Sequence, residues 1–164
     1  MHLEAHLGYP AGPDAVAALL ADRSFVTEVC AASSADAWDV EVSGTAQGAF
    51  TVTTERTLPT TGVPDAFRRF VGDSLRVRQV DTWEAAAADG TRSGTIRLEV
   101  VGAPVSARAT TSLRAGGSGT EQQVSGELKA AVPLLGGRVE RAAEPALVRA
   151  LRDQERLAAR HLAG

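Results

Sequence analysis

Two polar pairs at a spacing of two stand in stretches that otherwise alternate apolar and polar residues. Thr54 and Arg56 follow Phe50 and Val52, while Gln79 and Asp81 follow Leu75 and Val77 and precede Trp83. Successive strand side chains point to opposite faces, so each pair falls in phase with its apolar neighbours and turns toward the same interior. An arginine and an aspartate brought together out of water form an electrostatic and acid/base pair. With Gln79 and Thr54 beside them they would equally make a polar end to an apolar cavity and orient a ligand headgroup there. Burying any neutral member unpaired would cost about 2 to 7 kcal/mol, and a charge more. Hence the alternative: a strand bulge flips the phase, or Arg56 and Asp81 lie exposed at strand ends.

The other chemistry-bearing residues have weaker patterns. Gln154 and His161 share a stripe of a long C-terminal helix that could face the same cavity, although a histidine near a helix C-terminus also suits solvent and the helix dipole. His2, Glu4 and His6 share one strand face, which is either a two-residue metal spacing or an exposed edge. Arg138, Arg141, Arg149, Arg152, Arg156 and Arg160 could meet phosphate, but Glu140, Glu144, Asp153 and Glu155 are interspersed and favour a solvated face. No nucleophile elbow, phosphate-binding loop, dinucleotide fingerprint or zinc-protease motif occurs, so no catalytic residue, metal or cofactor is assigned.

Composition narrows the partners. A chain of 164 residues suits one domain spanning 1–164. The net charge of −3 comes from 17 basic and 20 acidic residues without a block of either sign, which argues against nucleic acid and acidic membrane as partners. Cys30 is the only cysteine, so a disulfide framework and a cysteine metal site are both out, and a small buried hydrophobe is its ordinary role. Neither an 18-residue apolar run nor a basic-then-apolar leader is present, and a soluble cytoplasmic protein without membrane insertion is expected. Lys129 is the single lysine among many alanines and arginines, a bias typical of high-GC genomes.

The elements that must carry these residues can be read from hydrophobic period and turn residues. His2 to Tyr9 alternates as a strand, and Pro13 opens a short helix bearing Val16, Leu19 and Leu20. Asp22 or Ser24 caps a second helix, bearing Phe25, Val26, Val29 and Cys30. Period two returns through Trp38, Val40 and Val42, turns near Gly44 to Gly48, and continues through Phe50 to Leu58. A helical patch around Phe67, Phe70 and Val71 interrupts the sheet. Runs at 75–87, 91–101, 105–115 and 121–132 follow, across an Asp89-Gly90 turn and the Gly116 to Gly119 link. Val132 and Pro133 end the last strand, Gly136-Gly137 reads as a turn, and residues from about Leu134 to Ala163 form an amphipathic helix of ~45 Å. Pro145 inside it predicts a kink, or a new helical segment, near Arg141 to Glu144.

This order, with the stretch GELKAAVPLLGGRVE at 126–140, resembles the START-like, polyketide cyclase-like helix-grip superfamily, and within it an actinobacterial family of unknown function. The resemblance implies an α+β fold: a curved antiparallel sheet of about six to seven strands, two short N-terminal helices, and a long C-terminal helix across the concave face. It further implies a cavity between sheet and helix that takes a lipid-like or other hydrophobic small molecule. Strand phase places Trp38, Val40, Val42, Phe50, Val52, Ile96, Leu98, Val100, Ala107, Ala109, Leu113, Val124, Leu128 and Ala130 on its apolar wall. The expected ligand-binding set is Trp38, Phe50, Val52, Thr54, Arg56, Gln79, Asp81, Trp83, Leu98, Leu128, Leu147 and Gln154. A filled core serving as an interaction module, and a cyclase or dehydratase, remain as alternatives.

Overall fold

The computed structural model describes residues 1–163. The elements are β1 (His2–Tyr9), α1 (Pro13–Leu20), α2 (Arg23–Ala32), β2 (Ala37–Gly44), β3 (Phe50–Pro59), α3 (Asp65–Val71), β4 (Ser74–Trp83), β5 (Arg92–Val100), β6 (Val105–Gly116), β7 (Gly119–Ala130) and α4 (Gly136–Leu162). The strands form one seven-stranded antiparallel sheet in the order β1-β7-β6-β5-β4-β3-β2. Chain neighbours pair from β2 through β7, and β1 then joins β7, which leaves β1 and β2 as the two edges.

Local chemistry accounts for the boundaries. Pro13 occupies the first turn of α1, where its missing donor costs nothing. The Asp22 carboxylate accepts the Ser24 N–H at 2.8 Å and caps α2. Between β6 and β7 the expected four-residue link is tighter: Gly116 pairs with Gly119, leaving Gly117-Ser118 as the turn, with Gly117 at φ 56°.

The concave face carries the buried side chains of every strand, and these divide into two apolar clusters. One gathers Leu7, Val16, Phe25, Phe50, Trp83, Leu113 and Leu157 under α1, α2 and the second half of α4. The other gathers Phe67, Val100, Leu128, Val132 and Val139 under α3 and the first half of α4. Along β4 the polar pair Gln79 and Asp81 lies between Trp83 of the first cluster and Leu75 beside the second. The helices cover the sheet unevenly: α4 packs on β1 and β7, and α2 on β2. The middle strands are thereby left as the floor of a hollow between two helices.

Two expectations about the junction before α4 are corrected. Gly136 and Gly137 are not a turn preceding the helix but its first residues. The chain reverses instead at Val132 to Leu135, where Leu134 adopts a left-handed φ of 66° and projects fully into solvent. Glycine is needed at 136 for a different reason: a β-carbon there would collide with the Ala130 carbonyl oxygen at the end of β7. Glu140, one turn further, accepts the Ala130 N–H at 3.0 Å, and that hydrogen bond holds its carboxyl below the usual range. Nor does Pro145 start a new segment, since α4 runs unbroken through it. The orphaned Arg141 carbonyl lies on an exposed side of the helix where water can take the place of the missing donor.

Candidate functional site

Strand phase brings the four polar residues inward without a bulge. Across β3 and β4, Thr54 pairs with Gln79 and Val52 with Asp81, so these side chains share the concave face with Arg56. Arg56 is only 8% exposed. One guanidinium nitrogen, Nη2, donates to the Gln79 amide oxygen at 3.1 Å, and the Gln79 amide nitrogen donates to both Asp81 oxygens at 3.0 and 3.2 Å. Gln79 thus bridges the two charges, its carbonyl toward the cation and its amide toward the anion.

This arrangement is electrostatically incomplete. Burial pushes the Asp81 carboxyl up to about 6, against the pull of the Gln79 hydrogen bond and the Arg56 charge. The Arg56 Nε–H has no acceptor among the described residues and is shut off from solvent. Leaving such a donor unmet is costly, so the site is short of an acceptor.

The cluster forms one end of a cavity of about 70 Å³. Its apolar walls are Leu20 of α1, Phe25, Val26, Val29 and Cys30 of α2, Val52, Trp83 and Ile96 of the sheet, and Leu151 of α4. Trp83 is fixed by stacking on Phe50 at 6.4 Å between ring centroids, and by Gly94 opposite it, where a β-carbon would sit 2.9 Å from the indole. The volume has room for about five waters or a compact ligand, and is below the usual few hundred Å³ of drug-sized pockets.

A second polar group closes the opposite side. Tyr9 donates to the Gln122 amide oxygen at 2.6 Å, Gln122 donates to Thr111 at 3.0 Å, and Gln154 of α4 donates to the Tyr9 oxygen at 3.0 Å. Burial pushes the Tyr9 phenol well above its ordinary range, outweighing the Gln154 hydrogen bond. Burial also raises the Cys30 thiol, with Arg56 pulling it back. Tyr9, Gln122, Thr111 and Gln154 are matched to one another, whereas Arg56 is not fully matched.

Of the twelve expected residues, Val52, Thr54, Arg56, Gln79, Asp81, Trp83 and Gln154 line this cavity. Phe50 lies behind Trp83, and Leu128 is buried in the second cluster with Leu147 against it. Leu98 lies next to Gln79 across β4 and β5, outside the lining. Trp38 opposes Arg56 in register, but on edge strand β2, where 36% of it is exposed. His161 does not face the cavity: it hydrogen bonds Glu28 of α2 at 2.7 Å and sits edge-on to Phe25. His2, Glu4 and His6 stand on the outer face as exposed side chains with His–Glu separations of 3.7 to 3.8 Å.

Three residues of the second polar group escaped the sequence reading although their phase was available, Thr111 among them, which alternates with Ala109 and Leu113. Gln122 alternates with Val124 and Leu128, and Tyr9 with Ala5 and Leu7, so both had to point inward. Another buried polar residue, Arg92, also in phase with Gly94 and Ile96, serves the scaffold by donating to the carbonyls of Gly48 and Ala46 in the β2–β3 turn, although its Nε–H too is unmatched among the described residues. A wider hollow of about 530 Å³ on the outer face is lined by Thr82, Ser93, Thr95, Thr110, Ser112 and Ser125, hydroxyls that water satisfies.

A curved antiparallel sheet gripped by a long C-terminal helix, with an interior cavity beneath, is the START-like helix-grip fold. The chain belongs to the family described as "Protein of unknown function (DUF2505)", which matches residues 4–162. Among solved structures, it is similar to a fragment of the STAR-related lipid transfer protein of Xanthomonas axonopodis, at 16% identity and a TM-score of 0.58, covering 99% of this chain and 86% of that one. The KanY protein matches at 16% identity and a TM-score of 0.62, over 100% and 98% of the two chains. The protein TTHA0849 of Thermus thermophilus matches at 15% and 0.58, over 96% and 97%. At these identities the likeness is one of fold. No curated protein matches the sequence, and no described helix is long and apolar enough to cross a membrane.

Proposed function

We propose that the chain, acting as a single START-like domain, binds a small amphipathic molecule in the cavity between β3–β5, α2 and α4. The observation that carries this reading is a buried Arg56 guanidinium at one end of the cavity whose only side-chain partner among the described residues is the neutral Gln79 amide, with its Nε–H unmatched. Arg92, whose Nε–H is also unmatched, is held by the carbonyls of Gly48, Glu84 and Ala46, whereas Arg56 has one neutral side-chain partner and lies against a cavity, where an apolar residue of similar size would cost less to bury. The lipid-transfer name of one structural relative supports the same direction. The small volume selects for a compact ligand, or one admitted as α2 and α4 part at the exposed Glu28–His161 contact. The lone unpaired Cys30 and the lysine-poor composition agree with action in the cytoplasm of a high-GC bacterium.

A catalytic reading has one observation in its favour: a buried carboxyl at about 6, linked to an arginine through one glutamine, is poised for proton transfer near neutral pH. Solvent extraction of the purified protein followed by mass spectrometry separates the readings. Binding predicts a small amphipathic molecule at near-stoichiometric amount, lost in an Arg56→Gln protein. An extract of wild type that contains no such molecule, together with a cavity that excludes added ligands, would leave a filled-core interaction module.

A further inference from the structure

The polar groups around the cavity differ in what they still need, and that difference specifies the ligand's head. Gln122 is committed at both ends, to Tyr9 and Thr111. The Gln79 amide is committed to Arg56 and Asp81. Arg56, with five N–H donors, directs one contact at 3.1 Å to Gln79 and leaves Nε–H unmatched. Its charge is poorly balanced as well, because the Asp81 carboxylate is a full glutamine away. The site therefore lacks an acceptor, and preferably a charged one, since a guanidinium binds a carboxylate through parallel charge-assisted hydrogen bonds.

Resting on the binding function above, we propose that the cavity takes a short-chain carboxylate, its head on the Arg56 guanidinium and its chain against Phe25, Val29, Trp83 and Leu151, with Asp81 taking a proton from solvent as the anion enters. The proton follows from charge: two carboxylates cannot share one buried guanidinium without repulsion, and one of them becomes neutral. Asp81 is already displaced in that direction by burial. Other titratable groups near it are few. Arg56 comes from β3 and Cys30 from α2; the cavity residues Leu20 of α1, Ile96 of β5, Gln122 of β7, and Leu151 and Gln154 of α4 bring no charge. Tyr9 behind the two glutamines stays protonated.

The test follows Trp83 fluorescence in a Trp38→Phe protein, whose remaining tryptophan lines the cavity. Carboxylates from butanoate to decanoate are titrated in parallel with the matching primary alcohols. The carboxylate of best-fitting length is expected to bind at least about tenfold more tightly than its alcohol, the advantage of a charge-assisted contact. Arg56→Gln should reduce the carboxylate to the alcohol's affinity while sparing the alcohol. Affinity for the carboxylate should fall between pH about 6 and about 8, up to about tenfold for each unit by which the bound anion raises the Asp81 pKa, and Asp81→Asn should abolish that fall. An alcohol that binds as well as its acid overturns the carboxylate assignment and leaves the cavity reading intact. Absence of binding by every member of both series overturns both, and a carboxylate preference independent of pH removes Asp81 from the account.

Discussion

At the scale of single residues, Asp81 is the group whose state the fold changes most usefully. Its folded carboxyl is raised by burial, so it contributes stability below the unfolded value near 4, and this is lost as pH rises through about 6. Asp81→Asn keeps an acceptor for the Gln79 amide but cannot ionise. Urea unfolding at pH about 7.5 should therefore find the variant more stable by about 1 to 3 kcal/mol, with the gain vanishing near pH 4. Equal stability at both pH values would mean that Asp81 is well solvated. The inward position of this residue was legible because β3 and β4 keep strict period two, with no bulge between Phe50 and Arg56 or between Leu75 and Trp83. What alternation does not encode is whether an inward polar group finds a partner. The Gln79 bridge and the Tyr9–Gln122–Gln154 group depend on register between strands and on which helix residue arrives above them.

At the scale of elements, the β7–α4 junction carries two substitutions of opposite sign. Leu134 is held in the left-handed region with its side chain in solvent, so Leu134→Gly relieves backbone strain and removes no packing. It should raise stability by about 1 kcal/mol. Gly136→Ala places a β-carbon against the Ala130 carbonyl and should lower stability by about 1 to 3 kcal/mol as strand and helix are forced apart. Thermal unfolding of both proteins checks the pair; a stabilising Gly136→Ala would show that the helix start is free to move. The sequence pointed to this junction through Pro133 and the double glycine, but assigned the glycines to a turn. The error is physical in origin: glycine signals either a positive φ or a close approach of backbone, and only the fold tells which. Pro145 likewise starts no new segment, because the cost of a proline inside a helix depends on whether water reaches the carbonyl it orphans.

At the scale of the whole molecule, the number and order of strands could be read from turns and alternation, and the closing helix from its stripe. The position of the cavity could not. It depends on α2 covering β2 while α4 covers β1 and β7, a division of the concave face that no local pattern records. For that reason Trp38, Leu98, Leu128 and Leu147 were assigned to the site on phase alone, and α2 was not assigned to it at all. The two apolar clusters on either side of Gln79 and Asp81 also suggest how the molecule tolerates a polar layer: each half of α4 rests on its own cluster, so neither depends on burying the charges dry. Enlarging the hollow with Leu151→Ala should cost about 2 to 4 kcal/mol of stability, less than that if solvent fills it, and shift the preferred ligand to a longer or bulkier chain. Calorimetry and titration with the carboxylate series would register both effects.

The central claim is that a ligand enters between α2 and α4 and meets the Arg56 cluster. Amide chemical shifts of the labelled protein, recorded while hexanoate is added, test it most directly. The account predicts saturable shifts centred on Thr54, Arg56, Gln79, Asp81, Trp83 and Val29, with smaller ones at Glu28 and His161. Shifts confined to the outer hydroxyl face at Thr82, Thr95 and Thr110, or none at any concentration up to the solubility limit, would contradict it.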